Sequence, residues 1–214
     1  MITGASEPWA RLERIRRERG LLTPTELLEL ADQGVTVLDP FSVIVSRRVR
    51  LGPDTLLYPG VVIECDEGSS CALGPGNVLH GGTRITASSG GRITIGRDSL
   101  IGEGGTQITA TTIDAILIGD RTRIANGAEV LGSSRIGDGA QILGPISARS
   151  VDLAPGRSRT YPDPDARGGV LKGFGRAQRI HVGVGEVVNG AGDFATAPVE
   201  RQRTYHPEAP RLTR

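Results

Sequence analysis

The sequence is short of aromatic residues. Phe, Tyr and Trp together make up 3% of its 214 residues. A globular core draws much of its bulk from such side chains, so this interior must be built from Val, Ile, Leu and small residues. That suits a narrow, repetitive core. Lysine is nearly missing as well: Lys172 is the single one, and arginine supplies the rest of the positive charge. The formal net charge is +1, which points to neither a nucleic acid nor a membrane surface as partner. No stretch approaches 18 consecutive apolar residues, and the opening MITGASEPWARLERIRRERG lacks the apolar segment of a signal peptide. The cytoplasm is the expected compartment. Two cysteines, Cys65 and Cys71, make no disulfide framework and are expected to be free thiols. No close Cys/His cluster is present, so no metal is expected.

Glycine, by contrast, is abundant at 31 residues, and the aliphatic residues around it are periodic. Val45, Leu51, Leu57 and Ile63 lie six apart. Leu73, Leu79, Ile85, Ile95, Ile101, Ile108, Ile118, Ile124, Val130, Ile136 and Ile142 carry the series on. Neither a helix nor a lone half-buried strand has that period. Six-residue repeats signal a parallel β-helix. Each hexad is a short strand plus a turn, three hexads make one triangular coil, and the aliphatic side chain points inward. By strand alternation the residue two before it also points inward: Val61, Cys71, Asn77, Thr83, Ile93, Ser99, Thr106, Ile116 and Thr122. The glycines after the aliphatic residue (Gly52, Gly74, Gly96, Gly102, Gly119, Gly137) are expected at corners with unusual dihedrals.

Three spacings are ten rather than six: Ile63 to Leu73, Ile85 to Ile95 and Ile108 to Ile118. They recur every third hexad and so fall on one corner of successive coils. The stacked inserts form a ridge, read either as decorated turns or as the wall of a ligand groove.

Before the repeats, residues 6–33 read as two short helices. Ser6 and Pro8 start the first and Gly20 stops it. TPTE opens the second, with Thr23 as N-cap, Pro24 next and Glu26 at capping-box spacing; Gly34 ends it. The expected division is a helical cap at 1–34, the β-helix at 35–156, and a loop, strand and tail extension at 157–214. In that extension SRTYPDPDARGG reads as loop, RIHVGVGEVVNG as one or two strands, and APVERQRTYHPEAPRLTR as a polar tail. Open β-helix ends expose strand edges that proteins cover, and the two flanks are placed to do so.

The hexads, with GVTVLDP at 34–40 and VRLGPDTLLYPGVVI at 49–63, resemble the bacterial hexapeptide-repeat transferases. They look most like the acetyltransferase half of the bifunctional enzyme that makes UDP-N-acetylglucosamine. The resemblance covers about residues 24 to 145. It implies a left-handed parallel β-helix, a homotrimer, acyl-CoA (acetyl-CoA above all) in grooves between neighbouring prisms, and a histidine base. Nothing here corresponds to that enzyme's nucleotidyltransferase domain or to its GHxxYxGD segment, so its catalytic residues have no matching positions.

Acyl transfer needs a base near neutral pH and donors for the oxyanion. The candidate bases are His80, beside the inward Leu79 in NVLHGG, and His181 in RIHVGVG. His206 reads as a solvated tail residue. Candidates for binding substrate or CoA are Asn126, otherwise a left-handed turn residue, Lys172 and Arg176 in LKGFGR, and Asn189 and Asp193 in VVNGAGDF. The glycines of LKGFGR make no dinucleotide fingerprint. A carbonic anhydrase of the β-helix class needs three metal-binding histidines, whereas His80 alone falls within the repeats. The expected activity is acyl transfer to an amino or hydroxyl group of a sugar or sugar nucleotide. The competing readings are a non-catalytic trimeric scaffold and an accessory partner of a sugar nucleotidyltransferase.

Overall fold

The computed structural model describes residues 6–211. The opening MITGA and the last three residues of the expected tail lie outside them. Three stacks of parallel strands enclose a prism. The first face stacks Thr36–Val37, Leu56–Leu57, Val78–Leu79, Leu100–Ile101, Arg123–Ala125, Gln141–Leu143 and the first half of Val170–Gln178. The second stacks Ile44–Val45, Val62–Cys65, Thr83–Ser88, Thr106–Thr111, Ala128–Leu131, Ile146–Arg149 and the second half of Val170–Gln178. The third stacks Val49–Leu51, Ser70–Leu73, Arg92–Ile95, Ala115–Ile118, Arg135–Ile136, Asp152–Leu153 and His181–Val182. The chain is thus a parallel β-helix, as its period requires.

Registration between rungs is strict. Leu57, Leu79, Ile101, Ile124, Ile142 and Leu171 lie in one column, all fully buried. The nine residues expected two before the aliphatic are all buried. Their polar members pair within the prism. Asn77 Nδ2 donates to the Gly74 and Gly96 carbonyls at 2.7 and 2.8 Å. Its Oδ1 accepts from Ser99 N at 3.0 Å, and Thr122 Oγ1 donates to Ser99 Oγ at 2.9 Å. A buried polar column costs little when every rung satisfies the next. Phe194 is the aromatic residue that is buried among those described.

The corner glycines are glycines for a different reason from the one expected. Of the six, Gly102 alone has a positive φ, +92°. At Gly52, Gly74, Gly96, Gly119 and Gly137 a Cβ would come within 3.0 Å of atoms of the following coil. Close stacking, not dihedral freedom, excludes a side chain there. The left-handed residue falls two positions later, at Asp54, Gly76, Asp98, Arg121 and Gly139.

The three ten-residue spacings do share one corner, between the second and third faces. Most of the extra length lengthens the flanking strands and adds one small inward residue per rung: Cys65, Ala87 and Ala110, in register and buried. The turns then stack, with Ser89 N donating to Asp66 Oδ2 at 2.8 Å and Gly90 N to Ser69 Oγ at 2.9 Å. Both cysteines are free thiols.

At the N-terminal end α1 (Ser6–Glu18) and α2 (Pro24–Glu29) pack on the first coil, with Leu27 in the core. Both capping-box hydrogen bonds of Thr23 and Glu26 form, and Gly34 caps the following 3-10 turn with φ +77°. At the other end the ladder runs past 156, where the hexad pattern fades. After the excursion at 154–169, the strand Val170–Gln178 bends round a corner and pairs with two faces in turn. Gly173 and Gly175 permit the bend, with φ of +113° and +121°. Glu186–Asp193 pairs with it in parallel, and Val199–Arg201 closes the edge antiparallel. Backbone ladders hold this last rung without the hexad's aliphatic spacing, so the repeat pattern does not announce it. No helix among the described residues is long and apolar enough to cross a membrane.

Candidate functional site

Alternation puts one outward residue per rung at the middle of the third face. The register gives the column Arg50, Ala72, Thr94, Leu117, Arg135, Asp152, His181. It starts on a charge, runs through Ala72, Thr94 and Leu117, and ends on Arg135, the acid Asp152 and the base His181. His181 Nδ1 lies 3.1 Å from Asp152 Oδ2, and both side chains are more than half exposed. A carboxylate on Nδ1 fixes the tautomer that leaves Nε2 as the acceptor. One rung away, a shallow depression of about 360 Å³ is lined by Thr94, Leu117, Arg135 and Pro155. The third face therefore offers a base, its orienting acid and a partly apolar floor.

His80 stands elsewhere, at the corner between the first and second faces. Its ring stacks on Tyr58, one rung earlier, with centroids 4.9 Å apart and planes at 25°. No hydrogen bond or ion pair to its ring is formed among the described residues. Asn126 is in the left-handed region at φ +62°, as a turn asparagine should be. Arg176 and Asp193 are opposite each other in register on the last rungs. Asp193 spends its carboxylate on capping the turn Phe194–Thr196, accepting from Ala195 N at 3.0 Å.

Lys172 and Asn189 are register partners in the column that carries on from the His80 corner. Lys172 Nζ lies 5.5 Å from the Tyr205 ring centre. Asn189 Nδ2 donates to the Tyr205 hydroxyl at 3.5 Å, and that hydroxyl donates to Glu200 Oε2 at 2.5 Å. The Glu200 bond pushes the Tyr205 hydroxyl above its ordinary pKa. Four rungs at about 4.8 Å put Lys172 roughly 19 Å from His80. The structure thus joins Lys172 to Asn189 but does not bring either to His80 or His181. His206, expected to be a solvated tail residue, lines a pocket with Lys172 and Tyr205. The sequence reading also missed Arg123, Gln141, Arg159 and Arg167 in that pocket and Asp152 beside His181. Asp152 carried no such signal, because Asp152–Leu153 pairs with His181–Val182 across a coil of 29 residues that holds the irregular excursion. Arg123 and Gln141 share one column of the first face, 18 residues apart, whereas Arg159 and Arg167 follow no period.

Among the described residues no group of His, Cys, Asp and Glu is arranged to hold a metal ion. No family model matches the chain. It is similar to the bifunctional protein GlmU of Geobacillus sp. (strain WCH70), 36% identical over 100 residues, which is 44% of this chain and 20% of that protein. The GlmU of Carboxydothermus hydrogenoformans is 33% identical over 120 residues, 53% of this chain and 26% of that protein. The chain therefore spans a fifth to a quarter of the length of these curated relatives. Among solved structures it is similar to the polySia specific acetyltransferase NeuO, with a TM-score of 0.42 and 14% identity over 78% of this chain and 79% of that one. The LpxA of Acinetobacter baumannii gives 0.34 and 18% over 78% and 72%. The matches to GlmU bear out the resemblance to the hexapeptide-repeat transferase superfamily that the repeats suggested.

Proposed function

We propose that this chain, a member of the hexapeptide-repeat superfamily, is an acyl-CoA-dependent acyltransferase. It transfers an acyl group, acetyl in the first instance, to an amino or hydroxyl group of a sugar or sugar nucleotide in the cytoplasm. The observation that carries this reading is the His181–Asp152 pair beside the third-face depression. His181 takes the acceptor's proton at Nε2 as the nitrogen or oxygen attacks the thioester carbonyl. Asp152 accepts the Nδ1 hydrogen bond and stabilises the imidazolium. Backbone N–H groups at a corner hold the oxyanion. Collapse of the intermediate breaks the C–S bond, and His181 returns the proton to the departing thiolate. His80 is the second candidate base, but the orienting carboxylate favours His181 over it. The insert ridge borders the third face, whose strands Arg92–Ile95 and Ala115–Ile118 leave it directly. In a homotrimer it would wall a groove for acyl-CoA against a neighbouring prism.

Release of free thiol from acetyl-CoA in the presence of amino sugars tests the reading. His181→Ala should lower turnover 10²- to 10⁴-fold, the range of general-base catalysis, with Asp152→Asn between it and the parent and His80→Ala near the parent. Full activity in both histidine variants would sink the mechanism.

A further inference from the structure

A second pocket, of about 430 Å³, lies where the C-terminal segment folds over the last rungs of the first face. Its volume suits a small organic molecule of nucleotide size. Arg123, Arg159, Arg167 and Lys172 line it, and no Asp or Glu does so among the described residues. Arg123 is neutralised by Glu103, with Nε 2.7 Å from Oε2. Arg167 donates Nε to the Tyr161 carbonyl at 2.7 Å and feels the Asp163 carboxylate nearby. Arg159 and Lys172 have no carboxylate partner among the described residues. Arg159 and Lys172 thus bring charge to the pocket without the acids that pair Arg123 and other arginines of the chain.

Gln141 supplies an independent observation. It faces the pocket and is 9% exposed, yet its side-chain amide makes no hydrogen bond among the described residues. No buried side-chain nitrogen or oxygen among the described residues lacks a partner, so the Gln141 amide is not cut off from solvent and is free to meet a ligand. Here the open direction is the pocket. Tyr205 adds an aromatic ring, and Leu143 and Val187 add apolar surface.

We propose that this pocket binds a nucleoside diphosphate unit, at a site separate from the third-face pair. The diphosphate lies among Arg159, Arg167 and Lys172, which offer forked and point-charge contacts to phosphate oxygens. The base or ribose takes the Gln141 amide and rests on Tyr205. The proposal does not depend on acyl transfer, since His181 is on another face.

Calorimetric titration of the full chain with UDP, ADP and inorganic pyrophosphate tests it. We expect one site per chain for the nucleotides, weaker binding of pyrophosphate, and affinity falling with salt. The exposed pair of changes Arg159→Ala and Lys172→Ala should weaken nucleotide binding at least tenfold at unchanged melting temperature. Arg149→Ala, on the second face outside the pocket, should leave it intact, and Gln141→Leu should weaken nucleotides more than pyrophosphate. No nucleotide binding, or equal affinity in the double variant, overturns the proposal. So does citrate binding as tightly as UDP, which would make the site a general anion site. Abolition of UDP binding by saturating CoA overturns its separateness. Loss of acetyl transfer in His181→Ala with UDP affinity unchanged bears on the function above and not on this site.

Discussion

At the N-terminal end of the prism a helix lies over the first coil. Arg16, 5% exposed, donates to the carbonyls of Leu22, Pro40, Phe41 and Val43 at 2.7 to 3.4 Å. At the C-terminal end no helix of comparable length occurs among the described residues. One more strand is laid down, Val199–Arg201 folds back on it, and Phe194 fills the end of the core. Arg203 then binds Asp163 and Asp165 and holds the tail to the 157–169 excursion. The first end is closed by Arg16 meeting backbone up to 27 residues away, and by the local capping box of Thr23 and Glu26. The second is closed by apolar bulk and by ion pairs about 40 residues apart in sequence. A terminal rung needs its strand edge satisfied, and either chemistry achieves it.

Substitutions at the two ends can break that comparison. The largest effect is expected at Phe194, where truncation to Ala leaves a cavity under the C-terminal lid. A loss of about 3–5 kcal/mol is anticipated, read as a fall in the urea midpoint at constant slope. Arg16→Ala should cost somewhat less, about 2–4 kcal/mol, because several carbonyls lose a shared donor while water regains partial access. Thr23→Ala removes half of the capping box and should cost about 1 kcal/mol. If Arg16→Ala proves neutral, the N-terminal helix is an ornament rather than a cap.

Acid sharpens the contrast further. Hydrogen bonds from Arg203, then Arg201, hold the Asp165 carboxyl below its ordinary pKa, against some desolvation. A carboxylate depressed in the folded state stabilises it above the ordinary Asp value, and that stability is lost as pH falls through the depressed value. Limited proteolysis after Val199 should therefore quicken as pH drops below the usual carboxylate range. In Arg203→Ala the same cleavage should be fast already at neutral pH and respond little to acid. Protection of the tail unchanged by both acid and the variant would refute the strap. The smallest effect is expected between the two ends. Burial pushes the Cys71 thiol up to about 12 and raises Cys65 as well. Neither should react appreciably with a disulfide reagent at pH 8 until the prism unfolds. Fast labelling of native protein would mean that the insert corner opens.

The prism was legible because its geometry is periodic. A narrow triangle admits one aliphatic and one small residue per side, and that constraint writes itself into every sixth position. The N-terminal cap was legible for a related reason, since Thr23, Pro24, Glu26 and Gly34 act on their own neighbourhoods. Glycine was located correctly but understood wrongly, because contact between coils cannot be seen along one coil. The sites were harder. His181 was visible as a residue but not as a pair, because Asp152 meets it after an irregular excursion. Arg123 and Gln141 are neighbours through the ladder itself, but Tyr205 reaches them through the fold-back of the tail, which long-range ion pairs hold. His206 is exposed, as expected of a tail residue, although the anchored tail sets it at the pocket's edge.

The corner glycines bear on how such a chain can change length over evolutionary time. Gly52, Gly74, Gly96, Gly119 and Gly137 each press on the coil that follows. Inserting or deleting one residue in a strand would move every later side chain out of its column and drive a larger residue into one of these close approaches. Adding or removing one complete coil leaves each remaining contact as it was. Viable relatives of different length should therefore differ by whole coils, with odd residues confined to corners that already bulge. Heredity in this fold counts in turns of the prism rather than in residues.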